Sequence, residues 1–219
     1  MGFNIDQYEK IKAQLPQEVL LLPVSKTKPI SDLLEAYNHG VKAFGENYVQ
    51  ELVAKAEEMP KDIEWHFIGH LQSNKVKYIA PFVKMIHGVD SFSLLNEIAK
   101  QAHKHGRVID VLLQFHIATE ESKFGWSPED LDTLSVELKN NTFDGVAICG
   151  VMGMASFVDD EQTIRKEFRN LKGCFDGLQP LLSDRFRVIS MGMSGDWPMA
   201  VEEGSTLIRL GSVLFGSRN

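Results

Sequence analysis

Leu20-Leu21-Leu22-Pro23-Val24-Ser25-Lys26-Thr27-Lys28-Pro29 is an apolar run closed by a lysine just before a turn. Residues 19–25 have the length and composition of a buried strand, and residues 30–39 follow with a helical pattern. What stands between them decides the fold. A dinucleotide fold places Gly-x-Gly-x-x-Gly after its first strand. Here the sequence is Ser25-Lys26-Thr27-Lys28.

The same alternation recurs along the chain. Further strand runs are read at residues 41–45, 65–69, 84–89, 108–117, 145–152, 186–191 and 206–210. Helical patterns are read at 47–59, 73–79, 91–105, 160–182 and 197–203. The 47–59 helix is expected to turn Glu51, Lys55 and Glu58 to solvent. In 91–105, Leu94, Leu95, Ile98 and Ala102 make one apolar face. Ser127-Pro128-Glu129-Asp130 reads as an N-cap, a first-turn proline and first-turn acids. The long 160–182 helix is expected to be irregular near Gly173.

Eight β/α alternations predict parallel strands with crossover helices. A closed (β/α)₈ TIM barrel and an open doubly wound sheet both fit, and the count of eight favours the barrel. Residues 1–219 are read as one domain, short for a barrel of ~250 residues but above the ~200 lower end.

Composition narrows the function. The 219 residues are 43% hydrophobic and 24% charged, with a formal net charge of −7 and no long basic run. That argues against nucleic acid and anionic membranes as partners. Two cysteines, Cys149 and Cys174, suit a reducing compartment better than a disulfide framework. Residues 1–14 are polar, unlike a signal peptide, and no apolar stretch approaches the ~20 residues of a membrane span. The expectation is a cytoplasmic protein.

In a barrel the chemistry lies at the carboxyl ends of the strands. Those ends carry Lys26 and Lys28; Gly45-Glu46-Asn47; His66 and the 69–75 segment; Asp90 and Ser91; His116, Thr119, Glu120 and Lys123; Met152-Gly153-Met154; residues 190–196; and Arg209-Leu210-Gly211-Ser212. A buried Lys26 amine would have a lowered pKa and form Schiff bases with aldehydes. Gly192-Met193-Ser194-Gly195 and Gly211-Ser212 supply backbone amides and hydroxyls for a phosphate, where barrels often bind one. Strand alternation turns Arg209 to the same face as Gly211. An amine, a phosphate cradle and an arginine between them suit pyridoxal 5′-phosphate (PLP). An arginine at the pyridine nitrogen would keep it unprotonated and weaken the ring as an electron sink.

Five segments together resemble one family: 24–29 (Val-Ser-Lys-Thr-Lys-Pro), 44–51 (Phe-Gly-Glu-Asn-Tyr-Val-Gln-Glu), 65–75 (Trp-His-Phe-Ile-Gly-His-Leu-Gln-Ser-Asn-Lys), 190–194 and 204–211. They look like the pyridoxal phosphate homeostasis proteins, over nearly the whole chain. The resemblance implies a barrel like the N-terminal domain of alanine racemase. It implies that Lys26 carries PLP, that Ser194, Gly211 and Ser212 bind its phosphate, and that Arg209 faces the pyridine nitrogen. It also implies buffering or delivery of PLP, with PLP-dependent apoenzymes as candidate recipients, rather than catalysis. Two departures are a short N-terminus, expected to trim the helix before the first strand, and Trp126 where a smaller apolar residue is expected. The chain ends soon after its eighth strand, so the second racemase domain and its catalytic tyrosine are expected to be absent. A monomer is expected for the same reason.

The cofactor-site set is therefore Lys26, Asn47, Met193, Ser194, Arg209, Gly211 and Ser212. Lys28, Lys75 and Lys123 read as exposed charge near the mouth. His66 and His70 are candidate acid–base groups, although hydrogen-bonded core or rim histidines are the commoner case. The methionines read as packing, and no Cys/His spacing fits zinc. Two further functions stand beside the carrier. A PLP-dependent amino-acid racemase would need a second acid–base group. A phosphosugar enzyme using Lys26 for a substrate Schiff base would be colourless.

Overall fold

The computed structural model describes residues 2–119 and 124–216. Glu120 and Lys123 lie outside them. The eight strands are β1 (Leu20–Pro23), β2 (Ala43–Glu46), β3 (Glu64–Phe67), β4 (Met85–Val89), β5 (Ile109–Gln114), β6 (Val146–Met152), β7 (Val188–Ser190) and β8 (Leu207–Leu210). All neighbours pair in parallel, in the order β1-β8-β7-β6-β5-β4-β3-β2. The two ends of the sheet meet at a bridge between Val24 and Gly45, where Ser25 N–H donates to the Gly45 carbonyl at 3.0 Å. The sheet is a nearly closed (β/α)₈ barrel, as expected.

The helices are α1 (Ile5–Lys12), α2 (Ile30–Asn38), α3 (Val49–Glu58), α4 (Val76–Ile79), α5 (Phe92–Lys104), α6 (Leu131–Asn140), α7 (Glu161–Leu178), α8 (Trp197–Glu202) and α9 (Ser212–Phe215). They cover the outer face of the barrel with their apolar stripes. β4 and β5 are buried along their whole length, because a parallel strand between helices and barrel interior has no wet face. That is why the strands read as plain apolar runs. In α5, Leu94, Leu95, Ile98 and Ala102 are buried, and Ser91 caps the helix by accepting from Leu94 N–H at 3.3 Å. Among the described residues no helix is long and apolar enough to cross a membrane.

Three expectations are corrected, and the two departures from the family are located. The helix before the first strand, expected to be trimmed, is present as the eight-residue α1, capped by Asn4, whose side chain accepts from Gln7 N–H at 3.0 Å. Lys55 on α3 is not solvated but 4% exposed, and Glu51 is half-buried; only Glu58 faces water. The reason is that α3 packs over the turn after β1, so charge on that face meets protein. Ser127 does not cap with its side chain; its hydroxyl donates to the Glu129 carboxylate at the start of a single 3₁₀ turn, Pro128–Asp130, ahead of α6. Gly173 does not disturb α7, which runs unbroken past it. A Cβ there would meet open space, so this glycine accommodates no close approach. Trp126, unexpectedly large, is half-buried: it bridges to Phe115 and sits edge-on to Phe92 at 5.8 Å.

Candidate functional site

At the carboxyl mouth of the barrel a cavity of about 220 Å³ is bounded by the ends of β1, β2, β3, β6, β7 and β8. All seven residues of the expected set line it: Lys26, Asn47, Met193, Ser194, Arg209, Gly211 and Ser212. The barrel brings them together because every strand ends its carboxyl side at one mouth.

Lys26 is half-buried, less enclosed than expected from its strand context. The backbone turns sharply just after it: Thr27 has φ 64°, and Lys28 N–H donates to the Ser25 carbonyl at 3.0 Å. Lys28 is not simple mouth charge. It lines the cavity, and its Nζ donates to the Gly216 carbonyl at 3.1 Å. This tie between the first strand end and the segment after α9 has no local sequence signal.

Arg209 enters from β8 and is 5% exposed. Its guanidinium donates to the Ser190 carbonyl at 2.8 Å, to the Ser190 hydroxyl at 2.5 Å and to the Gly153 carbonyl at 3.2 Å. Burial lowers its pKa to about 10, with Asp196 pulling the other way. It remains charged at neutral pH.

Behind Arg209 a polar chain crosses the barrel interior. The Ser190 hydroxyl meets His87 Nδ1 at 3.1 Å, and His87 Nε2 meets His66 Nδ1 at 3.0 Å. Arginine can only donate. The arrangement that gives the Ser190 hydroxyl hydrogen an acceptor has Ser190 donating to His87 Nδ1, and His87 donating from Nε2 to His66. Burial lowers the His66 pKa to about 4 and holds His87 well below the usual imidazole value, with His66 and Arg209 adding repulsion at His87. Both rings are neutral at pH 7. His66 is thus a core histidine. His70 is a rim residue, 3.3 Å from Asp90 and stacked on Phe124 with ring centroids 3.8 Å apart. Neither histidine lines the cavity.

The β7 and β8 loops face each other across the cavity, with the Ser212 and Ser194 hydroxyls 3.3 Å apart. The Met193 amide is not available to a ligand, because it donates to the Asp196 carboxylate. Ser194, Gly211 and Ser212 line this side of the cavity. The glycines differ in purpose. Gly192 has φ 95°, and a Cβ there would lie 2.7 Å from the Ala200 side chain, so the fold requires it. A Cβ on Gly211 would make only ordinary contacts with Val24, the nearest at 3.4 Å, and would take up cavity space.

Asn47 lies on the opposite wall. Its Oδ1 is buried without a hydrogen-bond partner, a cost normally avoided. Val24, Ile68 and Met154, which sequence reasoning did not select, supply apolar walls. Amine, paired hydroxyls, guanidinium and apolar walls fit a small aldehyde carrying a phosphate.

The family model described as the N-terminal domain of alanine racemase matches residues 5–219. The pyridoxal phosphate homeostasis protein of Aquifex aeolicus is 42% identical over 202 residues, 90% of this chain and 86% of that one. PipY of Synechococcus elongatus, solved without PLP, is 36% identical with a TM-score of 0.89, covering 96% of this chain and 99% of its own. The PLP-bound structure of PipY matches at a TM-score of 0.86. Alanine racemase of Clostridium difficile matches at 0.81 but is 14% identical, a likeness of fold, and this chain spans 58% of it. The chain belongs to the alanine racemase N-terminal-domain family, in its pyridoxal phosphate homeostasis branch.

Proposed function

We propose that this chain, as one domain over residues 1–219, binds PLP at the barrel mouth and holds it as a Schiff base on Lys26. The observation that carries the reading is the convergence of Lys26, Arg209, Ser194 and Ser212 on one small cavity. PipY, of the same size and fold, has been solved with PLP bound. The linkage forms between Lys26 Nζ and the aldehyde carbon, with the carbonyl oxygen leaving as water. Ser194, Gly211 and Ser212 hold the phosphate. Met193 packs beside it. Arg209 turns a charged fork toward the ring, and Asn47 lines the pocket beside it.

The bound group supplies an aldehyde for the tether and a weak electron sink. The chain's residues support holding rather than turnover. His66 is spent on His87, and His70 on the rim, so neither candidate histidine reaches the cavity as a second acid–base group. The relatives' shared name is that of homeostasis proteins. We infer a cytoplasmic monomer that stores PLP and passes it to PLP-dependent apoenzymes. Titration of the apo-protein with PLP is expected to give stoichiometric yellow complex. Incubation of that complex with amino acids is expected to give no racemisation; robust turnover would replace the carrier reading with the racemase one. A colourless protein that takes up no PLP would favour the phosphosugar reading.

A further inference from the structure

Thr27 is the only non-glycine residue with positive φ among those described. A β-branched residue is a poor occupant of the left-handed region, and such a conformation persists only where its surroundings over-determine it. Its backbone N–H donates to Glu51 Oε1 at 2.6 Å. The same Glu51 oxygen accepts from Lys55 Nζ at 2.6 Å. The other two Lys55 donors go to the Ser25 carbonyl at 2.8 Å and Glu46 Oε1 at 2.7 Å. The Ser25 hydroxyl donates to that Glu46 oxygen at 2.6 Å. One buried ammonium therefore fixes the residue before Lys26 directly and the residue after it through Glu51. Lys26 is the single residue between the two anchors.

A buried ion network of this kind is a weak device for stability, since desolvating its charges offsets most of their attraction. Its geometry points to another use. We propose that Glu51 and Lys55 are positioning residues for Lys26, holding the Ser25–Thr27 backbone so that the lysine side chain is aimed into the cavity. This rests on Lys26 being the point of PLP attachment. Neither residue touches the cavity, and both act through the backbone of the turn.

The test uses the full chain, with PLP and with pyridoxine 5′-phosphate, which has no aldehyde and cannot bond to the lysine. Wild type must first yield a borohydride-reduced adduct on Lys26. Its failure would refute the attachment reading itself, and this inference with it. Glu51→Ala is expected to weaken PLP capture roughly tenfold, the size of a lost charge-assisted hydrogen bond, while leaving the affinity for pyridoxine 5′-phosphate unchanged. Adding Thr27→Gly is expected to restore most of the loss, because glycine adopts positive φ without a Cβ penalty. Glu51→Gln keeps a neutral acceptor for Thr27 and is expected to lose about threefold, a neutral bond being roughly half as strong; it serves should Glu51→Ala not fold. Equal losses for both ligands, no loss, or no recovery with Thr27→Gly would overturn the positioning role while leaving the attachment intact.

Discussion

Leu22 and Arg209 stand opposite each other in the parallel register of β1 and β8. The strand that delivers the lysine thus lies beside the strand that delivers the arginine, although they come from opposite ends of the chain. The closing strands of the barrel build the site, and Arg209 is anchored there by two protein carbonyls and a hydroxyl before any ligand arrives.

Removing that anchor should be felt in the empty protein. Arg209→Met takes the guanidinium donor from the Gly153 carbonyl and from the Ser190 hydroxyl, and leaves the Ser190 carbonyl only the Gly153 N–H inside the barrel. It is expected to lower the unfolding free energy by about 2–4 kcal/mol, read from urea denaturation of apo-protein. Arg209→Lys retains a charge but not the planar fork, and is expected to cost less than Arg209→Met. Unchanged stability in Arg209→Met would mean the guanidinium is not held as described.

Acid should destabilise the fold through the histidine chain. The His66 value falls from 6.5 to about 4 on burial. Between those values the unfolded chain binds the proton and the folded chain does not. Stability is therefore full above pH 6.5 and is lost as pH falls toward 4, by about 3 kcal/mol from this group. Urea midpoints measured from pH 7 to 4 should fall steadily. His66→Gln, which keeps a polar partner for His87, should show a shallower slope, and an identical slope would remove His66 as its cause.

Two glycines of the mouth should fail in different ways. Gly192→Ala meets both a positive φ and the Ala200 side chain, so it is expected to cost about 1–3 kcal/mol of stability. Gly211→Ala is expected to leave the urea midpoint of apo-protein nearly unchanged while weakening PLP binding. A Gly211→Ala protein that binds PLP as wild type does would place the phosphate elsewhere.

The barrel was legible because its parallel strands are mostly buried and appear as mainly apolar runs. Residues 84–89 and 145–152 reduce to β4 and β6 with little loss at either end. Strand-end position placed the seven cavity residues in a longer set that also held His66 and Asp90, and the chemistry of a phosphorylated aldehyde with the family resemblance narrowed it. Lys55 was not. Glu51 and Lys55 are four residues apart on one helix face, the usual pattern of a solvated ion pair, and nothing local reveals that this face covers the turn holding Lys26. The positive φ of Thr27 had no signal either, since threonine is among the residues least expected there. The tie from Lys28 to Gly216 joins distant parts of the chain and exists only once the barrel closes.

The most direct measurement is borohydride reduction of the PLP-loaded protein followed by peptide mass mapping, alongside the visible spectrum of wild type and Lys26→Ala. The expected result is one pyridoxyl phosphate adduct, on Lys26, and loss of the visible band in Lys26→Ala. An adduct on Lys28 or another lysine, or a band that survives Lys26→Ala, would contradict the assignment.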